Sequence, residues 1–163
     1  AKISGKDNPQ AIVGVYPEAT ISRAFELKEF KVGAARMAQE AGVPIIPCVI
    51  WGAQRVWTKD HPKRMGRTNT PIYVDLGQPI TVDPQDNAHE VTARLKETMA
   101  AMLEGLWEVY PPMPLEDQVF VPKRIGGAAP TLEEAAELYR QELARKAVKR
   151  AAKTAEQRGS TGT

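Results

Sequence analysis

The sequence predicts an α/β chain: part of a mixed, mainly parallel sheet covered by helices, ending in a long C-terminal helix. Three observations carry this. Two apolar runs of strand length, "AIVGVY" at 11–16 and "VPIIPCVIWG" at 43–52, are near-continuous, as strands buried on both faces are. Between them, "FKVGAARMAQEAG" at 30–42 carries apolar residues at helical spacing. Near the end, 131–158 is one uninterrupted helical stretch.

Each element follows from local chemistry. Residues 1–10, "AKISGKDNPQ", are polar and rich in turn formers, so they read as a loop. Pro17 ends the first strand because it has no N–H to give a ladder. The helix at 30–42 shows a stripe of Phe30, Ala34, Met37, Ala38 and Ala41, with Gly42 as its C-terminal cap and Pro44 preventing continuation. Strand, helix and strand in that order predict a parallel pair with a right-handed crossover. The connection is far too long for a hairpin.

Residues 53–71 are polar and basic, and "IYVDLGQPI" at 72–80 alternates as a third strand does. "DPQDNAHE" supplies an N-cap for a helix at about 88–109, with Val91, Leu95, Met99, Met102, Leu103 and Leu106 on one face. "YPPMP" breaks that helix, and the Pro- and Gly-containing stretch 111–130 reads as an extended linker. Thr131 and Glu134 form a capping box opening the basic helix 131–158, and residues 159–163 are a tail. A parallel sheet needs cover on both faces. Three strands and one crossover helix leave faces open, so if no further part of the molecule covers them, dimerisation or aggregation is expected.

Composition narrows the class. The chain has 163 residues, 42% hydrophobic and 26% charged, ordinary for a globular protein. A formal charge of +2 argues against a nucleic-acid partner. No apolar run approaches the roughly 20 residues of a membrane-spanning helix. Cys48, the single cysteine, has no internal disulfide partner and is expected buried in its apolar run. No spacing suits a metal, and nothing calls for a cofactor.

The chemistry concentrates after the first strand, in "VYPEATISR". Ligands of open α/β sheets sit beyond the carboxyl ends of strands. Glu18 to Arg23 occupy such a place, and Lys28 and Lys31 follow. Arg23, the two lysines, the hydroxyls of Thr20 and Ser22, and loop amides would suit a phosphate. An ordinary solvated basic loop is the competing reading.

With "FKVGAARMAQEAGVPIIPCVI", this stretch resembles the glycerolipid acyltransferases, the 1-acylglycerol-3-phosphate acyltransferase family of bacterial phospholipid synthesis. Tyr16, Pro17, Glu18, Ala19, Thr20, Ile21 and Ser22 align with its Phe-Pro-Glu-Gly-Thr-Arg-Ser motif. Phe30, Lys31, Gly33 and Ala34 align with its Phe-Lys-x-Gly-Ala stretch, and Val43, Pro44, Ile45 and Pro47 with its Val-Pro-Ile-x-Pro block. The likeness covers about 11–52, and the strand "IYVDLGQPI" resembles a later one of the family. Two positions depart: Ala19 replaces the glycine and Ile21 the arginine. Arg23, two residues on, returns to the same face of an extended segment and can replace that arginine; a changed acceptor is the other reading.

The resemblance implies transfer of a fatty acyl group from acyl-CoA or an acyl-carrier protein to the free hydroxyl of a lysophosphatidic acid-like acceptor. It also implies peripheral contact with the cytoplasmic face of the cell membrane. The family's His-x4-Asp dyad is absent: five residues after His61 stands Gly66, and five after His89 stands Arg94. No catalytic residue is therefore assigned. Residues 1–110 read as the carboxyl-terminal part of the acyltransferase domain, with the dyad expected upstream, and the chain alone is expected to be inactive. The other reading is a non-catalytic lipid- or partner-binding module on the same fold.

What the chain would supply is the acceptor site: Glu18, Ala19, Thr20, Ser22, Arg23 and Lys31. Glu18 would accept from an acceptor hydroxyl, hold Arg23, or cap loop amides beyond Pro17. Thr20 and Ser22 would donate to phosphate or bond within the turn. Lys31, at the start of a helix where a cation is mildly unfavourable, would bind phosphate. Trp51, Trp57 and "TKDHPKR" suit a membrane interface or a solvated loop. Residues 140–158 hold seven basic and two acidic residues, a net +5. That stretch suits anionic headgroups or plain solvent.

Overall fold

The structure, a computed structural model, describes residues 12–160. In chain order its elements are α1 (Gly33–Ala41), β1 (Cys48–Trp51), β2 (Tyr73–Leu76), α2 (Ala88–Val109) and α3 (Leu132–Ser160). Short 3-10 turns lie at Ala53–Arg55, Leu115–Phe120 and Lys123–Ile125. β1 and β2 pair antiparallel, from Cys48 opposite Leu76 to Trp51 opposite Tyr73. An antiparallel bridge between Ile45 and Ile80 continues the ladder.

The expected mainly parallel sheet is thus corrected: among the described residues the sheet has two strands, antiparallel. Residues 12–16 form no strand, and Ile12 is 95% exposed. A continuous apolar run signals a buried strand only where a partner strand and covering layers exist. Here β1 pairs with β2, only one face of that pair is covered, and Gly14 weakens the run as a strand.

The covering element is α2. Val49 and Trp51 of β1 bury against Leu103 and Leu106, with Tyr110 completing the cluster. The Trp51 ring meets Trp107 and Tyr110 edge-on, at centroid distances of 5.5 and 6.4 Å. A second cluster joins Ala35 and Ala38 of α1 to Val82 and Val91. Strand alternation puts Cys48, Ile50, Val74 and Leu76 on the opposite, open face. Cys48, expected buried, is therefore exposed, and Trp51, considered for a membrane interface, is core.

The caps are those the sequence indicates. Gly42 ends α1 at φ +63°, giving its N–H to the carbonyls of Ala38 and Gln39. The Asn87 side chain accepts from the His89 N–H at 2.9 Å at the start of α2. The Thr131 N–H donates to Glu134 at 2.8 Å, and the Glu134 N–H to the Thr131 hydroxyl at 3.2 Å. Such a cap contributes about 1 kcal/mol. After β1 the chain turns at Gly52, φ +98°, where a Cβ would lie 2.2 Å from the Pro71 carbonyl oxygen. Only glycine permits that approach.

The stretch 115–130, expected as extended loop, folds into two of the 3-10 turns and buries Asp117, Phe120 and Ala129. Among the described residues, no helix is long and apolar enough to cross a membrane.

Candidate anion-binding site

The loop between Pro17 and Lys31 closes on itself. The Lys31 N–H donates to the Pro17 carbonyl at 2.8 Å, and the Ala19 N–H to the Tyr16 carbonyl at 3.1 Å. Inside this ring, Glu18 accepts from the Lys28 N–H at 3.0 Å. Glu18 therefore takes the amide-capping role among its expected alternatives. Burial pushes its carboxyl pKa up, and the Lys28 amide and ammonium only partly offset this. Ala19 and Phe25 hold φ of +57° and +54°. Left-handed backbone costs a non-glycine residue about 1–2 kcal/mol. Ala19 thus keeps a conformation that the glycine of the matching motif would adopt freely.

Arg23 is the focus. Its side chain is 9% exposed. Nη2 donates to Glu142 Oε2 at 2.9 Å, and Nε pairs with Asp60. Glu142 also meets Lys59, and Lys146 at 2.5 Å. The Lys28 and Lys59 ammonium groups lie 4.9 and 5.9 Å from the Tyr139 ring centroid. Four cations thus converge from the loop, the β1–β2 connection and α3. Hydrogen bonds from Lys146, Lys59 and Arg23 hold the Glu142 carboxyl well below the usual range.

The expected site residues divide around this cluster. Arg23 lies within it. The Ser22 hydroxyl next to it is buried, with no hydrogen-bond partner among the described residues. Thr20 is half-buried and Lys31 exposed, ahead of α1 rather than inside it. The sequence does not bring Lys59, Asp60, Tyr139 and Glu142 to this loop: Lys59 and Asp60 read as part of the interfacial or solvated segment, and Glu142 as part of the basic stretch 140–158. The signal available was Glu142 itself, one of two acids in that strongly basic stretch. A groove of about 470 Å³ lies apart, between Glu29–Val32 and α2, with His89, Thr92 and Lys96 on its wall. His61 packs on Phe120 at 4.7 Å. No metal-binding group of residues occurs among the described residues.

The carboxylates set the acid response. For Asp117, burial raises the pKa, but hydrogen bonds from Arg64 and Arg55 outweigh it and the net shift is downward. Glu142 shifts the same way. Depressed native pKa values stabilise above the unfolded values and are lost as pH falls through the native ones. Glu18, raised, has the opposite sign and destabilises as pH rises through its range. Two strongly paired carboxylates outweigh one, so the urea midpoint should fall as pH drops below about 4.5. An unchanged midpoint down to pH 3 would show that these pairs do not stabilise the fold.

Residues 4–51 match the family described as Acyltransferase. A Caenorhabditis elegans protein provisionally named a 1-acyl-sn-glycerol-3-phosphate acyltransferase is 30% identical over 94 residues, 58% of this chain and 35% of the relative. The chain therefore spans little more than a third of that relative's length. No solved structure matches.

Proposed function

We propose that this chain, whose residues 4–51 match the family described as Acyltransferase, is a glycerolipid acyltransferase and holds the acceptor of an acyl transfer. In that reaction the free hydroxyl of a lysophosphatidic acid-like glycerol phosphate attacks the carbonyl of an acyl thioester. An ester forms, the thiol leaves, and the hydroxyl proton passes through a general base to the departing sulfur. Acyl-CoA or an acyl-carrier protein is the donor. The sequence has no His-x4-Asp pair to supply base and orienting carboxylate. Its contribution is recognition of the acceptor phosphate, at the cytoplasmic face of a membrane that α3 meets with its basic residues.

One observation carries this reading: the motif loop delivers a nearly buried Arg23 into a cluster with Lys28 and Lys59. A guanidinium suits phosphate because its fork matches two oxygens. A hydrogen bond to a charged group contributes about 1.5–3 kcal/mol, roughly 10–150-fold in affinity. In the whole enzyme, Arg23→Ala should raise KM for the acceptor about 10–100-fold and leave KM for the thioester unchanged. Arg23→Lys should recover part of the loss. Equal losses for donor and acceptor would count against the assignment.

A further inference from the structure

We propose that Glu142 is a built-in occupant of the acceptor's anion site, and that a phosphate monoester displaces it by lifting α3 from the Arg23 loop. The proposal deepens the acceptor reading and rests on it.

The docking of α3 shows why. Ala135 is buried, and Tyr139 and Glu142 follow on the same face at spacings of four and three. From 143 to 152 every residue is exposed. Glu142 is therefore the last residue of the helix that is even partly buried among those up to 152, and an exposed basic stretch follows it. Its contact is polar, and polar contacts exchange readily for other charged partners. One carboxylate there answers Arg23, Lys59 and Lys146. Asp60, the other acid on Arg23, is 58% exposed and pairs with Nε, leaving Nη2 to Glu142.

A phosphate monoester fits the same place better than a carboxylate. It carries about −1.5 to −2 charge at pH 7 and three acceptor oxygens. Three cations and the unpartnered Ser22 hydroxyl offer more donors than one carboxylate can use. The carboxylate prevails in the empty protein because it is tethered, at high effective concentration. Apparent phosphate affinity is then the intrinsic affinity reduced by the fraction of molecules with the site open.

The whole protein, titrated with inorganic phosphate by calorimetry, tests this. Glu142→Gln should bind phosphate at least about tenfold tighter than wild type, and adding Arg23→Ala should abolish the gain. Glu137→Gln, on the same helix but paired with Arg140, should match wild type. If Glu142→Gln does not fold, hydrogen exchange on the wild type decides. Phosphate should speed exchange of the 135–142 amides, and unchanged or slower exchange overturns the proposal. Vesicles with and without a phosphomonoester lipid separate the sources: opening by the lipid alone identifies a headgroup, and opening by free phosphate a soluble ester. Binding that needs Arg23 but is indifferent to Glu142→Gln overturns the displacement and leaves the acceptor reading standing. No phosphate binding by any variant overturns both.

Discussion

Asp117→Ala should destabilise the protein by about 3–5 kcal/mol, the range for removing one partner of a buried ion pair. Asp117 is 2% exposed. It accepts from Arg55 Nε at 2.8 Å and Nη2 at 2.7 Å, and pairs with Arg64. The remaining Arg55 nitrogen, Nη1, donates to the Tyr110 hydroxyl at 3.1 Å, and that hydroxyl donates to the Pro71 carbonyl at 2.7 Å. Arg64 is half-exposed and can turn to water, whereas the Arg55 side chain is 12% exposed and cannot. The loss therefore comes from a stranded guanidinium. Urea denaturation followed by circular dichroism measures it, and Asp117→Ala with Arg55→Met should be less destabilised than Asp117→Ala alone. A loss below about 1 kcal/mol would mean Arg55 finds water. The consequence reaches the candidate anion site. Arg55 and Arg64 flank the segment that carries Lys59 and Asp60 and tie it to Asp117, so the same variant should loosen the groups around Arg23.

Which parts of this were legible in the sequence follows from the range of each interaction. The helices were, because periodicity and caps are local: the Thr131–Glu134 box, the Gly42 terminus and the bounds of α2 all stand in a few consecutive residues. Strand partners were not. β1 pairs with a segment beyond a long basic connection, and nothing within "AIVGVY" says that 12–16 pair with no strand among the described residues. Cys48 and Trp51 make the same point from the other side. A four-residue strand in an apolar run gives no sign of which face is covered until α2 is placed. At the site, the motif located Glu18 and Arg23, but Arg23 pairs with Glu142 across 119 residues. Read alone, the loop offers free cations; that pairing engages the Arg23 guanidinium. A basic stretch such as 140–158 reads as a solvated or lipid-seeking arm, and its two acidic residues are easily passed over as background. Yet an acid facing a cationic loop is the residue that docks such a helix.

Trp51→Ala should cost about 3–5 kcal/mol, the range for truncating a large aromatic side chain in a core. The sheet has one covered face, and Trp51, 4% exposed, contributes its largest side chain. It packs in a cluster with Val49, Leu103, Leu106 and Tyr110, and meets two aromatic edges. Among the described residues the sheet has two strands and one covering helix, so no second layer fills the cavity. Truncation also frees Tyr110, whose hydroxyl links Arg55 to Pro71. The two largest predicted losses are thus coupled, and Trp51→Ala with Asp117→Ala should destabilise by less than their sum. Trp51→Phe retains most of the apolar contact and should lose less than half as much as alanine. The urea midpoints of these variants provide the check. A midpoint for Trp51→Ala within error of wild type would mean that β1 is held by its ladder with β2, not by α2.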